Sequence, residues 1–328
     1  MLEHGGRLGR AVRDYGTPRE QWLDLSTGIS PMAWPVPPIP PSAWHRLPED
    51  DDGLLAAAHA YYGGEYLLPV AGSQAAIAAL PRLRTPSRVA VAAPAYAEHA
   101  HAWRQAGHEV ISLPFAEMVT RAADFDVAVV VRPNNPTGEF AGRATLLALH
   151  ANLARNNGAP WLVVDEAFID TRPGESLCGE TRDGLIVLRS VGKFFGLAGA
   201  RAGFVAAWPT LIEALAETLG PWTLTGPSRH VVALALADHA WQASAREGLR
   251  TASGRLAEGL ARRGLPPTGG CEFFQYCVHP DAGRLHRALA RHAVLVRHFD
   301  QPQALRFGLP GDDAAFARLD RVLSEVLA

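Results

Sequence analysis

The chain has 328 residues, 48% of them hydrophobic and 20% charged, an ordinary globular composition that can bury one large core and a second, smaller one. Its formal net charge of −2, with arginines dispersed rather than striped, excludes the electrostatic footprint of a nucleic-acid-binding protein. No stretch approaches about 18 uninterrupted apolar residues, and Met1-Leu2-Glu3-His4-Gly5-Gly6-Arg7 lacks an apolar signal region, so a cytoplasmic protein without a membrane span is expected.

The three cysteines, Cys178, Cys271 and Cys277, are an odd number without C-x-x-C spacing, which disfavours a disulfide framework and a zinc site. His99-Ala100-His101 lacks the i, i+4 spacing that puts two ligands on one helix face, and both histidines read as solvated or structural. No metal is expected.

The predicted elements begin with an extended arm. The segment from Trp22 to Pro31 runs into Pro35-Val36-Pro37-Pro38-Ile39-Pro40-Pro41, where prolines forbid helix and supply few ladder donors. Apolar Trp22, Leu23, Leu25 and Ile29 distinguish this arm from a linker that buries nothing. Residues 50 to 62 are predicted as a helix, with acidic residues in its first turn and Gly63-Gly64 ending it. A strand at 67 to 71 then passes through Gly72 into a helix with Ser73 near its N-cap. The free amides of that helix start, with Ser73 and Gln74, suit a phosphate; a capped helix without ligand is the other reading.

Strands at 88 to 93, 108 to 112, 127 to 131 and 161 to 164, with a helix at 143 to 156, give the alternation of βαβ units and a parallel-rich sheet whose ligands lie at the strands' C-terminal ends. Tyr96, Arg132-Pro133-Asn134-Asn135-Pro136-Thr137-Gly138 and Asp165-Glu166-Ala167-Phe168 each follow such an end. Taken singly they are a packing tyrosine, a turn and a helix cap.

A further buried strand at 184 to 189 leads to Ser190-Val191-Gly192-Lys193-Phe194-Phe195-Gly196-Leu197-Ala198-Gly199-Ala200-Arg201. A P-loop is excluded, because Val187 stands where it needs Gly and Phe194 where it needs Ser or Thr. Partial burial among Phe194, Phe195 and Leu197 favours the neutral amine of Lys193, which can form a Schiff base with an aldehyde. Ser190, Arg201 and the glycines suit a phosphate. Beyond a strand at 203 to 207 and a helix to residue 218, Gly220-Pro221-Trp222 marks a boundary. Residues 226 to 263 carry helical spacing, as one connection either whole or broken. Strands at 272 to 278, 293 to 297 and 303 to 308, with helices near 282 to 291 and 311 to 326, form an α+β module.

The lysine stretch resembles the fold type I pyridoxal-phosphate enzymes, the aspartate and histidinol-phosphate aminotransferase superfamily, whose S-x-x-K motif with R eight positions later is met by Ser190, Lys193 and Arg201. The resemblance covers almost the whole chain. It implies an α/β, PLP-dependent transferase-like fold and a homodimer. A large domain, 41 to 218, would hold a mixed, mostly parallel sheet flanked by helices, and a smaller α+β domain, 219 to 328, would be joined by the arm, 1 to 40. Pyridoxal 5'-phosphate is the implied cofactor: Lys193 carries it, Gly72, Ser73, Gln74, Ser190 and Arg201 seat its phosphate, and Tyr96 stacks on its ring. Asp165 would keep the pyridine nitrogen protonated, and Asn135 would donate to the ring oxygen. Arg306, in Leu305-Arg306-Phe307-Gly308, would grip the substrate carboxylate, with Arg297 and His298 leading towards it.

Within that family the arm's Leu25-Ser26-Thr27-Gly28-Ile29-Ser30-Pro31, the early His4-Gly5-Gly6, and Phe168 in place of a common tyrosine resemble the threonine-phosphate decarboxylase branch of cobalamin biosynthesis. An amino acid phosphate is then the implied substrate, with His4, the amides of Gly5 and Gly6, and Arg132 as candidates for its dianion. An aminotransferase, for example of histidinol phosphate, needs the same residues. A binding protein that kept the scaffold is the third reading. His45-Arg46-Leu47-Pro48-Glu49 stands where the family has Y-P-D-P, so the family's cross-subunit tyrosine is missing.

Overall fold

The computed structural model describes residues 5–154, 159–180 and 182–327; His4 lies outside them. Its strands are β1 (Leu23–Asp24), β2 (Leu67–Val70), β3 (Arg88–Ala92), β4 (Glu109–Leu113), β5 (Val127–Val131), β6 (Trp161–Asp165), β7 (Leu185–Ser190), β8 (Gly203–Ala206), β9 (Gly269–Cys271), β10 (Phe274–Val278), β11 (Val294–Leu295), β12 (Arg297–Asp300) and β13 (Gln303–Gly308). Two compact units result. The larger comprises Ala33–Asn135 and Phe140–Ala243; the smaller takes the chain up to Met32, Pro136–Glu139 and everything from Ser244 on.

In the larger unit seven strands lie in the order β2-β8-β7-β6-β5-β3-β4. The ladders from β4 to β7 are parallel, whereas β8 runs antiparallel to both β7 and β2. Every residue of β5 and β6 is buried, which is why these strands read as continuous valine-rich runs rather than alternating ones: helices cover both faces. Val127, Val129, Val163, Ile186, Leu188 and Val205 pack with Trp103 and Trp161 in one core, the two indoles meeting edge to face at 6.4 Å. The register sets Val131 beside Asp165 and Asp165 beside Leu188, so β5 and β6 end level with one another while β7 runs on past Leu188 to Ser190.

The helix predicted at 50 to 62 begins later, at Leu54–Tyr62, because Asp52 accepts the Leu54 amide at 3.1 Å and also binds Arg229. The long connection breaks into Gly226–Ala237 and His239–Arg262. At the break, Asp238 accepts the Trp241 amide and the Trp34 indole N–H, each at 3.0 Å, so its side chain caps a new helix start. The boundary expected near residue 219 falls at Ser244 instead. Gly226–Ala237 packs against Leu54–Tyr62 and Ser42–His45 and so belongs to the larger unit.

In the smaller unit β12-β13-β10-β9 form an antiparallel sheet, and the arm supplies β1, which pairs in parallel with β11. The Leu23 and Leu25 amides donate to Ala293 and Leu295, and the Gly308 amide donates to Leu25. The arm is therefore extended, as its prolines require, and also part of a sheet. A helix at Leu8–Tyr15 was not anticipated; its Ala11 joins Trp22, Ala290, Ala293 and Leu295 in a second small core, with Leu8, Val12 and Tyr15 against it. Among the described residues no helix is long and apolar enough to cross a membrane.

Trp103→Ala empties the centre of the larger core, where the indole is 2% exposed, and is expected to lower unfolding free energy by about 3–5 kcal/mol. Urea denaturation measures this, and a loss below about 1 kcal/mol would place the ring outside the cooperative core.

Candidate active site

All ten cofactor candidates, Gly72, Ser73, Gln74, Tyr96, Asn135, Asp165, Phe168, Ser190, Lys193 and Arg201, line one pocket of the larger unit, together with Val131 and Ala167. Its lining includes the last residues of β5, β6 and β7, Val131, Asp165 and Ser190. Parallel strands present their carboxyl ends together, so residues far apart in sequence meet there.

Part of the pocket lining has the chemistry an anion needs. Gly72, rather than Ser73, is the N-cap of the helix Ser73–Ala79, and no side chain caps it, so its first amides are open to a ligand. Gly72 has φ +73°, a conformation side-chain-bearing residues avoid, and a Cβ there would sit 2.7 Å from Arg201 Nη2. The guanidinium thus lies over the start of the helix. Arg201 itself has φ +50° and ends the turn Ala198–Ala200, whose last carbonyl accepts the Ser228 hydroxyl at 2.8 Å.

In the same pocket Asp165 is buried and its carboxylate is fixed at both oxygens. Oδ1 accepts the Ala167 amide at 3.0 Å, and Oδ2 lies 2.9 Å from His99 Nε2. His99 is a site-supporting residue that sequence reasoning treated as background; the available signal was its place one helical turn after Tyr96. The Tyr96 hydroxyl donates to Gln74 Oε1 at 3.1 Å. Burial, with Glu98 and Asp165 nearby, pushes its pKa up to about 12, so it remains a neutral donor at physiological pH.

Lys193 is half-buried on the short helical turn Val191–Phe194, its Nζ 5.6 Å from the Phe168 ring centroid. The turn is held from behind, where Phe195 stacks on Trp241 at 5.5 Å and Phe194 meets the same indole at 5.4 Å. The aromatic pair expected to surround the lysine amine thus anchors its backbone instead, and the ring recorded beside Nζ is that of Phe168.

Arg132 does not serve as a substrate-dianion residue. It is fully buried and donates to Glu166 Oε1 at 2.7 Å and to the carbonyls of Ala141 and Glu175. Leaving that carboxylate uncompensated would cost several kcal/mol, and the pocket lining does not include Arg132.

In the smaller unit Arg306 is buried on β13, donating from Nη2 to the Ser26 carbonyl at 2.9 Å, with its guanidinium 4.9 Å over the Phe274 ring. Burial, with the charge of Arg297, lowers its pKa to about 10, a field that an arriving carboxylate would relieve. Gly5 lies against this group: a Cβ there would be 3.7 Å from Arg306 Nη2. The Gly6 amide donates to Ser26 Oγ at 2.8 Å. Both glycines border a depression that Arg7, Arg10, Arg297 and His298 also line.

The sequence profile described as aminotransferase class I and II matches residues 52–320. The threonine-phosphate decarboxylase of Pseudomonas aeruginosa is 57% identical over 98% of this chain and 97% of its own length, and that of a Sinorhizobium species is 41% identical over 100% and 98%. Histidinol-phosphate aminotransferase of Sinorhizobium meliloti, solved in complex with pyridoxal-5'-phosphate, superposes with a TM-score of 0.84 at 18% identity, covering 99% of this chain and 95% of that one. The pocket suits that cofactor, because its lining brings together open amides and a guanidinium, a fixed buried carboxylate and a lysine. Gly72→Ala forces a Cβ into the left-handed region, a strain of about 1–2 kcal/mol, so cofactor affinity measured by fluorescence titration is expected to fall about tenfold; unchanged affinity would remove Gly72 from the phosphate seat. With the profile spanning most of the sequence and the pocket matching the cofactor, the chain belongs to the aminotransferase class I and II family and uses pyridoxal 5'-phosphate.

Proposed function

We propose that this enzyme decarboxylates L-threonine O-3-phosphate to (R)-1-aminopropan-2-ol O-2-phosphate, a step of cobalamin biosynthesis, as a cytoplasmic homodimer. The observation that carries this reading is full-length identity of 57% and 41% to two threonine-phosphate decarboxylases. The likeness to the aminotransferase, at 18% identity, speaks for the fold alone. Phe168, in the sequence Asp165-Glu166-Ala167-Phe168, supports the same reading.

When bound, pyridoxal phosphate supplies an aldehyde for the substrate amine and an electron-withdrawing ring. The chain's residues do the rest. Lys193 Nζ would hold the cofactor at rest and, freed from it, would be the group that carries a proton to Cα. Asp165, oriented by His99 and the Ala167 amide, keeps a proton on the pyridine nitrogen by a charge-assisted hydrogen bond. Asn135 would donate to the ring oxygen, and Tyr96 would cover a ring face. Ser73, Gln74, Ser190, Arg201 and the helix-start amides would hold the cofactor's phosphate. In the smaller unit Arg306 takes the substrate carboxylate, and Gly5 and Gly6, with His4, take its phosphate. Phe168 presents a hydrocarbon face to Lys193, which leaves the ring oxygen one donor fewer than a tyrosine would.

Release of CO₂ from O-phospho-L-threonine without any keto acid is the test. Stoichiometric glutamate from L-histidinol phosphate plus 2-oxoglutarate, with no CO₂ from O-phosphothreonine, would replace decarboxylation by transamination. Lys193→Ala is expected to abolish both turnover and the absorbance of lysine-bound cofactor, while phosphate contacts retain some binding; near-normal turnover would end the assignment. Asp165→Asn keeps the size and removes the charge, and a kcat loss of about a hundredfold or more is expected. A change confined to KM would make Asp165 a positioning group.

A further inference from the structure

Behind the pocket the larger unit buries a second constellation. Val131, Asp165 and Ser190 line the pocket, and their chain neighbours Arg132, Glu166 and Arg189 do not, because successive strand residues face opposite ways. On the far face those neighbours meet. Glu166, wholly buried, takes Arg132 Nη2 at 2.7 Å and the Leu177 amide at 2.9 Å on Oε1, and Arg189 Nη1 at 3.3 Å and the Ser176 hydroxyl at 2.5 Å on Oε2. Arg189 reaches on through Nη2 to Asp170 at 2.7 Å, and the Tyr61 hydroxyl donates to the same Asp170 oxygen at 2.9 Å.

Two arginines and two carboxylates leave the cluster neutral. Burial works against the charge of Arg189, but Asp170 and Glu166 outweigh it and hold its pKa above the usual arginine value. Such a set adds little net stability over an apolar core of the same shape. What it supplies is fixed spacing: a carboxylate accepting from two guanidinium groups in set geometry ties three strand ends together. Those are the ends of β5, β6 and β7, which bear Asn135, Asp165, and Ser190 with Lys193.

We infer that Arg132, Glu166 and Arg189 form a clamp behind the sheet that sets the spacing of Asn135, Asp165 and Lys193 around the cofactor ring, so that Glu166 is a positioning residue for the reaction. The inference rests on pyridoxal phosphate occupying the pocket and not on which substrate the enzyme takes.

Glu166→Asp keeps the charge balance and shortens the reach by one methylene. Apo protein is titrated with pyridoxal 5'-phosphate, the absorbance of the bound cofactor is followed against pH, and Tm is recorded beside them. The expected result is a cofactor dissociation constant about tenfold higher, the scale on which supporting residues tune a ligand site, and a shifted midpoint of the pH titration. A purely structural carboxylate would move Tm and leave that midpoint alone, so a wild-type midpoint overturns the inference whatever Tm does. Ser176→Ala, which removes a bridging hydroxyl and no charge, is expected to shift the midpoint less and in the same direction. If Glu166→Asp does not fold, Ser176→Ala decides alone, and a wild-type midpoint in it overturns the clamp. No substrate enters the experiment, so its failure leaves the proposed decarboxylation standing.

Discussion

The constraint on which the site depends is the parallel register of β5, β6 and β7. The Arg132 amide donates to the Asp165 carbonyl at 2.8 Å and the Glu166 amide to the Leu188 carbonyl at 2.9 Å, carrying the ladder past the last strand residues. One slip of register would turn Asp165 from the pocket to the opposite face and bring Glu166 in its place. The valine-rich strands resist this because both their faces are buried. The chemistry at the carboxyl ends is thus held by hydrocarbon several residues upstream.

Much of the larger unit was legible because its signals were local. Valine runs bounded by turn residues gave the strands, and the pocket candidates after them were found by position relative to strand ends. What stayed hidden depended on partners distant in sequence. Arg132 precedes a turn at a ligand-bearing strand end, and nothing in the linear order says that Glu166 lies opposite to neutralise it. His99 sat in a pair judged only for metal spacing, and its contact with Asp165 spans 66 positions. The Asp238 break depends on Trp34, 204 positions away. The helix at Leu8–Tyr15 was different: its apolar positions 8, 11, 12 and 15 follow the helical period, and the polar residues between them masked it.

The two units use charge differently. The larger encloses a charge-balanced cluster in which Arg132 and Arg189 pair with Glu166 and Asp170 behind the sheet. The smaller buries Arg306 against a carbonyl and an aromatic face, with Arg297 adding to its positive field. A buried cation with a lowered pKa is costly to maintain, and such cost is characteristic of groups kept ready for a ligand. The two buried arginine settings therefore differ: one is neutralised by carboxylates of the chain, and the other is, in the proposed reading, the seat of the substrate carboxylate.

The pairing of β1 with β11 has a consequence for the order of folding. Leu23 and Asp24 find their ladder partners only at Val294 and Leu295, with every residue of the larger unit, Ala33–Asn135 and Phe140–Ala243, lying between them in sequence. Closing so long a loop carries an entropy cost that neighbouring strands of the larger sheet do not meet. The small core around Trp22 is therefore a late event in folding, and its indole stays open to water until that loop closes.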